Sequence, residues 1–396
     1  MTTRKTPRSP LAGTPSLLRA INDRAALELL LANGPLSRTQ IGSLTGLSKP
    51  TASQLLARLE AVGLVVPVGT TAGGPGPNAQ LYQVNPAAGY VAGVAVTSTT
   101  VRVAVADVTG TTLAEHRVPT KGWPAAETVH RVAEAVAETV RRAQLAPDCL
   151  REVVVGIGGA PDPATGKLRY ASHLPGWHSP RLVEELELAL GAPVSIENDV
   201  NLAAVAEQAG GAAAGCEDFV LLWAEEGIGA AIVIAGRLHR GFTGGAGEVG
   251  YMPLPDAPVS LGSRRKVSGG FQDLVGEPAV LALARRHGLP GADGAQAVAG
   301  ALETDGGGPF LTELAERLAL GLAVIASVVD PELVVLSGRT PTAGGERLRE
   351  LVQEALGRMS IPRPEVRLSA VPGSPVLTGA LQRALASTRD VLFSTH

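Results

Sequence analysis

The apolar pattern of this chain changes its period at Asn85–Pro86. Before this point, apolar residues recur at steps of three and four, which indicates short amphipathic helices. After it, short runs rich in valine alternate with helical patterns, which is typical of an α/β fold. The 396 residues allow two or three domains. We therefore expect a small helical head followed by an α/β body of two lobes with a cleft between them.

The predicted domain limits follow from this change of pattern. We expect a disordered basic tail over residues 1–15, a head over 16–85 and a body over 86–396. Within the body, one lobe spans about 86–200 and includes the C-terminal helix, and the other spans about 201–378. The predicted helices of the body include one near 125–142, one that begins near Val200, one over 309–329, and a last one from about Gly379.

The head contains the signals of a helix-turn-helix. A first helix ends at Asn33–Pro35. Ser37 is followed three residues later by Gln40, which is the spacing of a capping box at the start of a second helix. Ser48 is placed to cap a third helix that ends near Gly63. The turn around Gly46 joins the last two helices in the arrangement of a helix-turn-helix.

The third helix has an apolar face and a polar face. The apolar face carries Ala52, Leu55, Leu56 and Leu59. Amides and hydroxyls on the other face could reach base edges, and the basic residues could contact phosphates. The predicted DNA-binding residues are Arg38, Ser48, Lys49, Thr51, Ser53, Gln54 and Arg58. Two strands, over 64–66 and 80–84, predict a β-wing whose tip over 70–78 has no Lys or Arg and would make few phosphate contacts.

The charge is distributed unevenly along the chain. Residues 1–90 contain eight Lys or Arg and three Asp or Glu, a net charge of +5, whereas the whole chain carries −3 and the remainder therefore −8. A cationic head on an anionic body is expected where only the head meets nucleic acid. The alternative interpretation is a helical hairpin used only for packing or dimerisation.

Composition points to the cytoplasm. The two cysteines, Cys149 and Cys216, are too few for a disulfide framework, which favours a reducing compartment. The longest apolar stretch, Leu318–Val329, is shorter than the roughly 20 residues that a membrane-spanning helix needs. We expect a cytoplasmic protein with no membrane contact.

Three motifs of the body carry a family resemblance. They are Leu174–Trp177, Ile196–Asn201 and Gly241–Gly250. With them, residues 15–396 resemble the ROK family of repressors, open reading frames and sugar kinases, in particular its xylose-type and N-acetylglucosamine-type repressors. The segment Ser37–Val65 also looks like the winged-helix heads of bacterial sugar-responsive repressors. The resemblance implies an α/β fold in which a winged helix-turn-helix precedes a two-lobed actin-like sugar-kinase domain.

The resemblance also implies a ligand site. Asn198 and Asp199 follow a predicted strand, at the position where open α/β sheets place ligands. Asp199 matches the base of the family's kinases, although it could instead cap the next helix. Tyr251 stands where the family has a histidine, His173 replaces an asparagine, and Gln272 replaces a glutamate. The predicted ligand-binding residues are His173, Asn198, Asp199, Glu248 and Tyr251, and Trp177 could line the pocket or belong to the core.

The parts that bind nucleotide and zinc in the family are altered here. Residues 95–99 replace an Asp-x-Gly-Gly-Thr turn that holds phosphate in the kinases, and Glu225–Gly227 replaces a Gly-Thr-Gly loop. Carboxylates facing a polyphosphate would repel it. Tyr251 stands in place of a histidine of the zinc site, and residues 253–271 contain no cysteine. We therefore expect no enzymatic activity, no cofactor and no metal.

Together these features predict a transcriptional regulator, most simply a repressor of carbohydrate-related genes. Its expected partners are a double-stranded DNA operator, a sugar or sugar-phosphate effector and further copies of itself, as a homodimer or homotetramer. Three alternatives stay open: a sugar kinase with a fused head, a regulator that needs no ligand, and a pure dimerisation module.

Overall fold

A computed structural model describes most of the chain. The described residues are 15–70, 79–162, 168–169, 174, 176–225, 227–255, 257, 259–261 and 267–394. Most of the predicted tail over 1–15, most of the predicted wing tip over 70–78, His173 and Glu226 lie outside them. Among the helices that are described, none is long and apolar enough to cross a membrane.

The head is a winged helix. Its elements are α1 (Pro15–Asn33), β1 (Leu36–Ser37), α2 (Arg38–Thr45), α3 (Lys49–Ala61), β2 (Val65–Thr70) and β3 (Gln80–Val84). The strands form an antiparallel sheet in the order β1-β3-β2. The predicted helix-turn-helix and the two strands of the wing are therefore present.

The predicted helix caps of the head are confirmed. The Ser37 hydroxyl accepts from the amide of Gln40, and the Gln40 side chain accepts from the amide of Ser37. The Ser48 hydroxyl accepts from the amide of Thr51 and so caps α3. Gly46 ends α2 with a φ of 72°, a left-handed conformation that costs glycine little and lets the chain turn sharply into α3.

The core of the head is completed by residues of the body. Leu27, Ile41 and Leu56 are almost fully buried in it. Val108, from a loop of the body, and Phe393, from the last helix of the chain, belong to the same cluster. The head is thus packed onto the body through shared apolar contacts.

The first lobe of the body is built on a five-stranded sheet. Its elements are β4 (Tyr90–Val96), β5 (Thr100–Asp107), β6 (Thr112–Pro119), α4 (Thr128–Arg142), β7 (Leu150–Ile157), β8 (Ala160–Pro161), β9 (Leu168–Arg169), α5 (Leu182–Leu190), β10 (Val194–Asn198) and α6 (Asp199–Gly210). Turns of 3-10 helix precede β4 and α4. The sheet order is β10-β7-β4-β5-β6, with β10, β7 and β4 parallel.

The second lobe repeats this plan. Its elements are β11 (Phe219–Ala224), β12 (Ile228–Ile234), β13 (Arg237–His239), β14 (Ser260–Leu261), β15 (Val267–Ser268), α7 (Gln272–Val275), α8 (Glu277–Arg286), α9 (Gly294–Glu303), α10 (Gly308–Val329), β16 (Leu333–Ser337), α11 (Arg339–Met359) and β17 (Glu365–Leu368). The sheet order is β13-β12-β11-β16-β17. In both lobes an antiparallel three-strand meander continues into two parallel strands, so the two sheets have one topology.

The chain returns to the first lobe in its last helix, α12 (Pro375–Ser394). This helix packs on α6 and on strands β4 and β7, in a cluster that joins Val91, Leu202 and Leu381. The approach is so close that a Cβ built on Gly379 would lie 1.8 Å from the carbonyl oxygen of Leu202. Only glycine fits at this position, and α12 is thereby held tightly against the first lobe.

Several predicted helix starts in the body are shifted by a few residues. The helix expected from residue 125 begins as a 3-10 turn, and α4 starts at Thr128. The helix α6 starts at Asp199, one residue before the predicted start. The last helix starts at Pro375, because proline is well tolerated in a first turn.

Candidate functional site

The polar face of α3 is available to a partner. Lys49, Thr51 and Gln54 are exposed, and Ser53 is partly buried. Ser48 is exposed too, although its hydroxyl already caps the helix and contacts the Thr51 hydroxyl at 2.8 Å. The opposite face, with Ala52, Leu55, Leu56 and Leu59, is buried as predicted. The helix is therefore fixed in the core of the head while its amide and basic side chains face outward.

Arg38 lies next to the wing. It is the first residue of α2, and its guanidinium donates to the Tyr82 hydroxyl at 2.5 Å and lies 5.4 Å from the centre of the Tyr82 ring. Tyr82 is buried in β3, so it holds an otherwise exposed cation beside the strand. A basic side chain that is already held in place loses less conformational entropy when it binds an anion.

Arg58 is placed differently from the other predicted DNA-binding residues. Its guanidinium donates to Asp23 of α1 at 2.6 Å, and Asp23 is 4% exposed. The pair lies between α1 and α3, so Arg58 holds these helices together and neutralises a buried carboxylate. A role in phosphate contact stays a prediction for Arg58, because its side chain is already engaged.

The second candidate site lies where β10 gives way to α6. Asn198 is the N-cap residue: its side-chain oxygen accepts from the amide of Asn201 at 3.0 Å. The side-chain nitrogen of Asn198 donates to the backbone carbonyl of Gly159, in the loop after β7, at 3.1 Å. The N-cap is therefore Asn198 and not Asp199, although the side chain of Asp199, the first residue within the helix, accepts from the amide of Val200 at 2.9 Å.

Asp199 and Glu248 form the acidic part of this site. Glu248 precedes the 3-10 turn Val249–Tyr251 of the second lobe. Burial raises the pKa of the Glu248 carboxyl, and the negative charge of Asp199 raises this pKa further. A carboxyl group of each lobe is therefore near enough to the other for their charges to interact, and both can accept hydrogen bonds from hydroxyls of a ligand.

The predicted ligand residue Tyr251 and two further residues considered for the pocket, Gln272 and Trp177, are placed differently. Tyr251 is the last residue of the 3-10 turn that follows Glu248, and it is 41% exposed. Gln272 accepts from the amide of Ile228 at 2.8 Å, so its side chain supports the backbone of β12. Trp177 is buried in the core of the first lobe with Leu174 and Leu182, which assigns it to the core and not to a pocket.

A buried carboxylate that sequence reasoning left without a role lies under this site. Glu197 is 2% exposed and belongs to the Ile196–Asn201 motif. One of its oxygens accepts from two nitrogens of Arg240, at 2.9 and 2.7 Å, and lies 3.5 Å from Arg383. The other accepts from the amide of Asn198 and the side chain of Asn201, both at 3.1 Å. Its position in a motif was the only available signal, since its cationic partners are remote in sequence.

The segments that the family resemblance places at the nucleotide site are held by contacts within the chain. Ala95 and Val96 are buried at the end of β4, and the hairpin after them is closed by a bond from the Thr97 amide to the Thr100 carbonyl at 2.9 Å. In the second lobe, Arg339 at the start of α11 donates to Asp293 at 2.7 Å.

The space around the Arg339 and Asp293 pair is small and acidic. A cavity of about 10 Å³ remains there, which is the size of a single water molecule. Its lining residues are Glu225, Glu277, Gly294, Ala295, Arg339 and Thr340. Within the part of the chain that the structure describes, no group of three or more His, Cys, Asp or Glu is placed to hold a metal ion.

Several known proteins are similar to this chain over most of its length. The chain is 24% identical to a xylose repressor of Caldicellulosiruptor bescii over 394 residues, which cover 94% of this chain and 98% of that protein. The crystal structure of a ROK family transcriptional regulator, a homologue of the E. coli Mlc protein, matches with a TM-score of 0.74 and 19% identity, and covers 95% of this chain and 99% of that chain. A ROK hexokinase from Thermus thermophilus matches with a TM-score of 0.64 and 27% identity over 76% of this chain and 99% of that chain.

Family models divide the chain at the boundary between head and body. A MarR family model matches residues 22–73, which begin within α1 and include α2, α3 and β2. The fold class predicted from the sequence, a winged helix-turn-helix followed by a two-lobed sugar-kinase fold, is thereby confirmed. The ROK family model matches residues 91–380, well over half of the chain, and this protein belongs to the ROK family.

Proposed function

We propose that this protein is a DNA-binding transcriptional regulator that represses genes of carbohydrate use. The observation that carries the proposal is the outward-facing row of Lys49, Thr51 and Gln54 on a helix whose other face is fixed in the head. Such a helix fits the major groove, where amides and hydroxyls contact base edges and the lysine contacts a phosphate. The similarity to a protein named as a xylose repressor supports this proposal.

The effector is a sugar or sugar phosphate bound in the cleft. Asn198 and Asp199 come from the first lobe and Glu248 from the second, so a ligand between them touches both lobes. Hydroxyl groups of a sugar would donate to these carboxylates and replace the water lost on burial. Binding would therefore favour a more closed arrangement of the lobes.

The proposal includes the absence of sugar-kinase activity. Ala95 stands where a metal-orienting carboxylate would be needed, and Glu225 and Arg339 line a space of about 10 Å³, which is too small for a nucleotide. Because a ROK hexokinase is among the similar proteins, activity should be measured directly. ATP hydrolysis that depends on an added hexose, and that is lost in Asp199→Ala, would contradict this part of the proposal.

We also place the protein in the cytoplasm as a homodimer or homotetramer. Two heads of a dimer would contact half-sites about one helical turn apart on a double-stranded operator. Analytical ultracentrifugation with and without the operator measures this stoichiometry, and one protein chain per operator would contradict it.

The first experiment is capture of bound DNA across the genome, repeated with D-xylose and with N-acetylglucosamine present. Binding of the captured operator is then measured in vitro over a range of salt concentrations. We expect Lys49→Ala to weaken binding several-fold and to reduce the slope of log affinity against log salt by about 1, because one phosphate contact is lost.

The matched control is Arg347→Ala, which removes one exposed positive charge from α11, away from the head. It should leave both the affinity and the salt slope unchanged. If Lys49→Ala behaves like Arg347→Ala, the α3 face does not contact DNA and the proposal loses its main support.

A further inference from the structure

Glu197 connects three parts of the body through one side chain. It lies in β10 of the first lobe, next to the last residue of the strand, while Arg240 follows β13 of the second lobe and Arg383 lies on α12. Both guanidiniums meet the same carboxylate oxygen, at 2.7 Å for Arg240 and 3.5 Å for Arg383. A displacement of one lobe relative to the other therefore changes the distances from the Glu197 carboxylate to Arg240 and Arg383.

The same carboxylate is bonded to the ligand site. Its other oxygen holds the amide of Asn198 and the side chain of Asn201, so it fixes the first turn of α6. Glu197 is buried, and a buried carboxylate that loses a cationic partner is strongly destabilised. A ligand that draws the lobes together at Asn198 must therefore act on the contacts of Glu197 with Arg240 and Arg383.

Helix α12 carries the next link toward the head. Arg383 and Asp390 are separated by about two helical turns and lie on the same side of the helix, roughly 10 Å apart along its axis. Asp390 accepts from Arg24 of α1 at 2.7 Å. Phe393, one turn further, is buried in the core of the head. A rotation or shift of α12 would thus move α1.

The last link joins α1 to α3, the helix that is proposed to contact DNA. Arg24 is preceded by Asp23, which accepts from Arg58 of α3 at 2.6 Å. Ion pairs between the cleft and α3 therefore occur at each change of element: Glu197 with Arg383, Asp390 with Arg24, and Asp23 with Arg58. The intervening steps run along the single helices α12 and α1.

We propose that α12 transmits the state of the sugar cleft to the DNA-reading helix, with Arg383 as the positioning residue at the cleft end and Asp390 at the head end. This inference rests on the proposed function. Neither residue is among those proposed to contact the ligand or DNA. Because coupling between two sites is reciprocal, DNA bound to the head must also alter the cleft.

The test uses the full chain and the captured operator duplex, and needs no identified ligand. Hydrogen exchange of the backbone amides of residues 197–201 is measured with and without the duplex. In the unaltered protein we expect the duplex to change these exchange rates by about fivefold or more. Arg383→Gln should bind the duplex with an affinity within about twofold of the original while this response is lost.

Three controls separate coupling from a structural defect. Arg383→Lys keeps the charge and should retain much of the response, and Arg347→Gln, on α11, should retain all of it. Asp390→Asn breaks the relay at its other end and should lose the response as Arg383→Gln does. If Arg383→Gln does not fold or bind, Asp390→Asn decides the question.

The outcomes distinguish the two proposals. If the unaltered protein binds no DNA, the proposed function fails. If it binds DNA and residues 197–201 do not respond, or if Arg383→Gln or Asp390→Asn responds fully, the proposed function stands and transmission through α12 is wrong.

Discussion

The two lobes share one strand order but place their charged groups differently. In the first lobe, Glu197 is buried at the end of β10 and is paired with cations from the second lobe and from α12. In the second lobe, Arg339 and Asp293 pair across neighbouring helices, and the Arg339 side chain is half exposed. The same sheet topology therefore accommodates two kinds of ion pair. The pairs of Glu197 are buried on the carboxylate side and join distant elements, whereas the pair of Arg339 with Asp293 lies near the surface and joins neighbouring helices.

The largest expected effect concerns the buried carboxylate. Glu197→Ala leaves Arg240 and Arg383 without their shared partner and removes two bonds from the start of α6. We expect the free energy of unfolding to fall by about 3 kcal/mol, at the lower end of the range for a broken buried pair because both guanidiniums reach solvent. Urea denaturation followed by circular dichroism measures this change.

The surface pair of the second lobe is the matched comparison. Arg339→Gln should lower the free energy of unfolding by less than about 1 kcal/mol, as is usual for an exposed ion pair. Equal losses for Arg339→Gln and Glu197→Ala would remove the distinction between the lobes.

A pH series sharpens the comparison within the second lobe. Burial works to raise the pKa of Glu313, but hydrogen bonds from His287, Arg286 and Arg317 outweigh it and lower the pKa to about 2. A depressed pKa gives stability that is present above about 4.5 and is lost as the pH falls toward 2. Glu313→Gln should therefore cost about 1 kcal/mol at pH 7, after allowance for solvent screening. This difference from the original protein should shrink between pH 4.5 and 2, and a difference that grows there would contradict the assignment.

The effect expected at Glu248 is small and has the opposite sign. The pKa of Glu248 is raised by burial and by Asp199, so its ionised form is disfavoured in the folded state. The stability linked to this group is present at low pH and is lost as the pH rises through the raised pKa. At pH 7, Glu248→Gln should be more stable than the original protein by less than about 1 kcal/mol, and the gain should vanish near pH 4. Thermal unfolding at the two pH values measures it, and a loss of stability at pH 7 would show that Glu248 has a cationic partner.

The head was predictable because its signals are local. The side chains of Ser37 and Gln40 bond to each other's backbone within one turn, so their spacing alone predicts the start of α2. The apolar face of α3 likewise follows from helical periodicity. At the cleft, the motif indicated Asn198 and Asp199 as candidates, but only the structure distinguished which of them caps α6.

Elements without a clear apolar pattern were missed. Strand β6 is an edge strand with an alternating exposed and half-buried pattern, so it has little apolar signal. Helix α11 contains Pro341 and is kinked at Gly345, and from the sequence alone both residues predict the end of a helix. The partners of Glu197 could not be predicted, because Arg240 and Arg383 reach it only through the packing of the second lobe and of α12.

The burial of Phe393 in the head has a consequence for synthesis. The winged helix precedes the body in the chain, whereas Phe393, which completes the core of the head, follows the body. During synthesis the head is therefore made before the aromatic side chain that covers part of its apolar core. The head could therefore bind an operator with a complete core only after the body that would regulate it has been made.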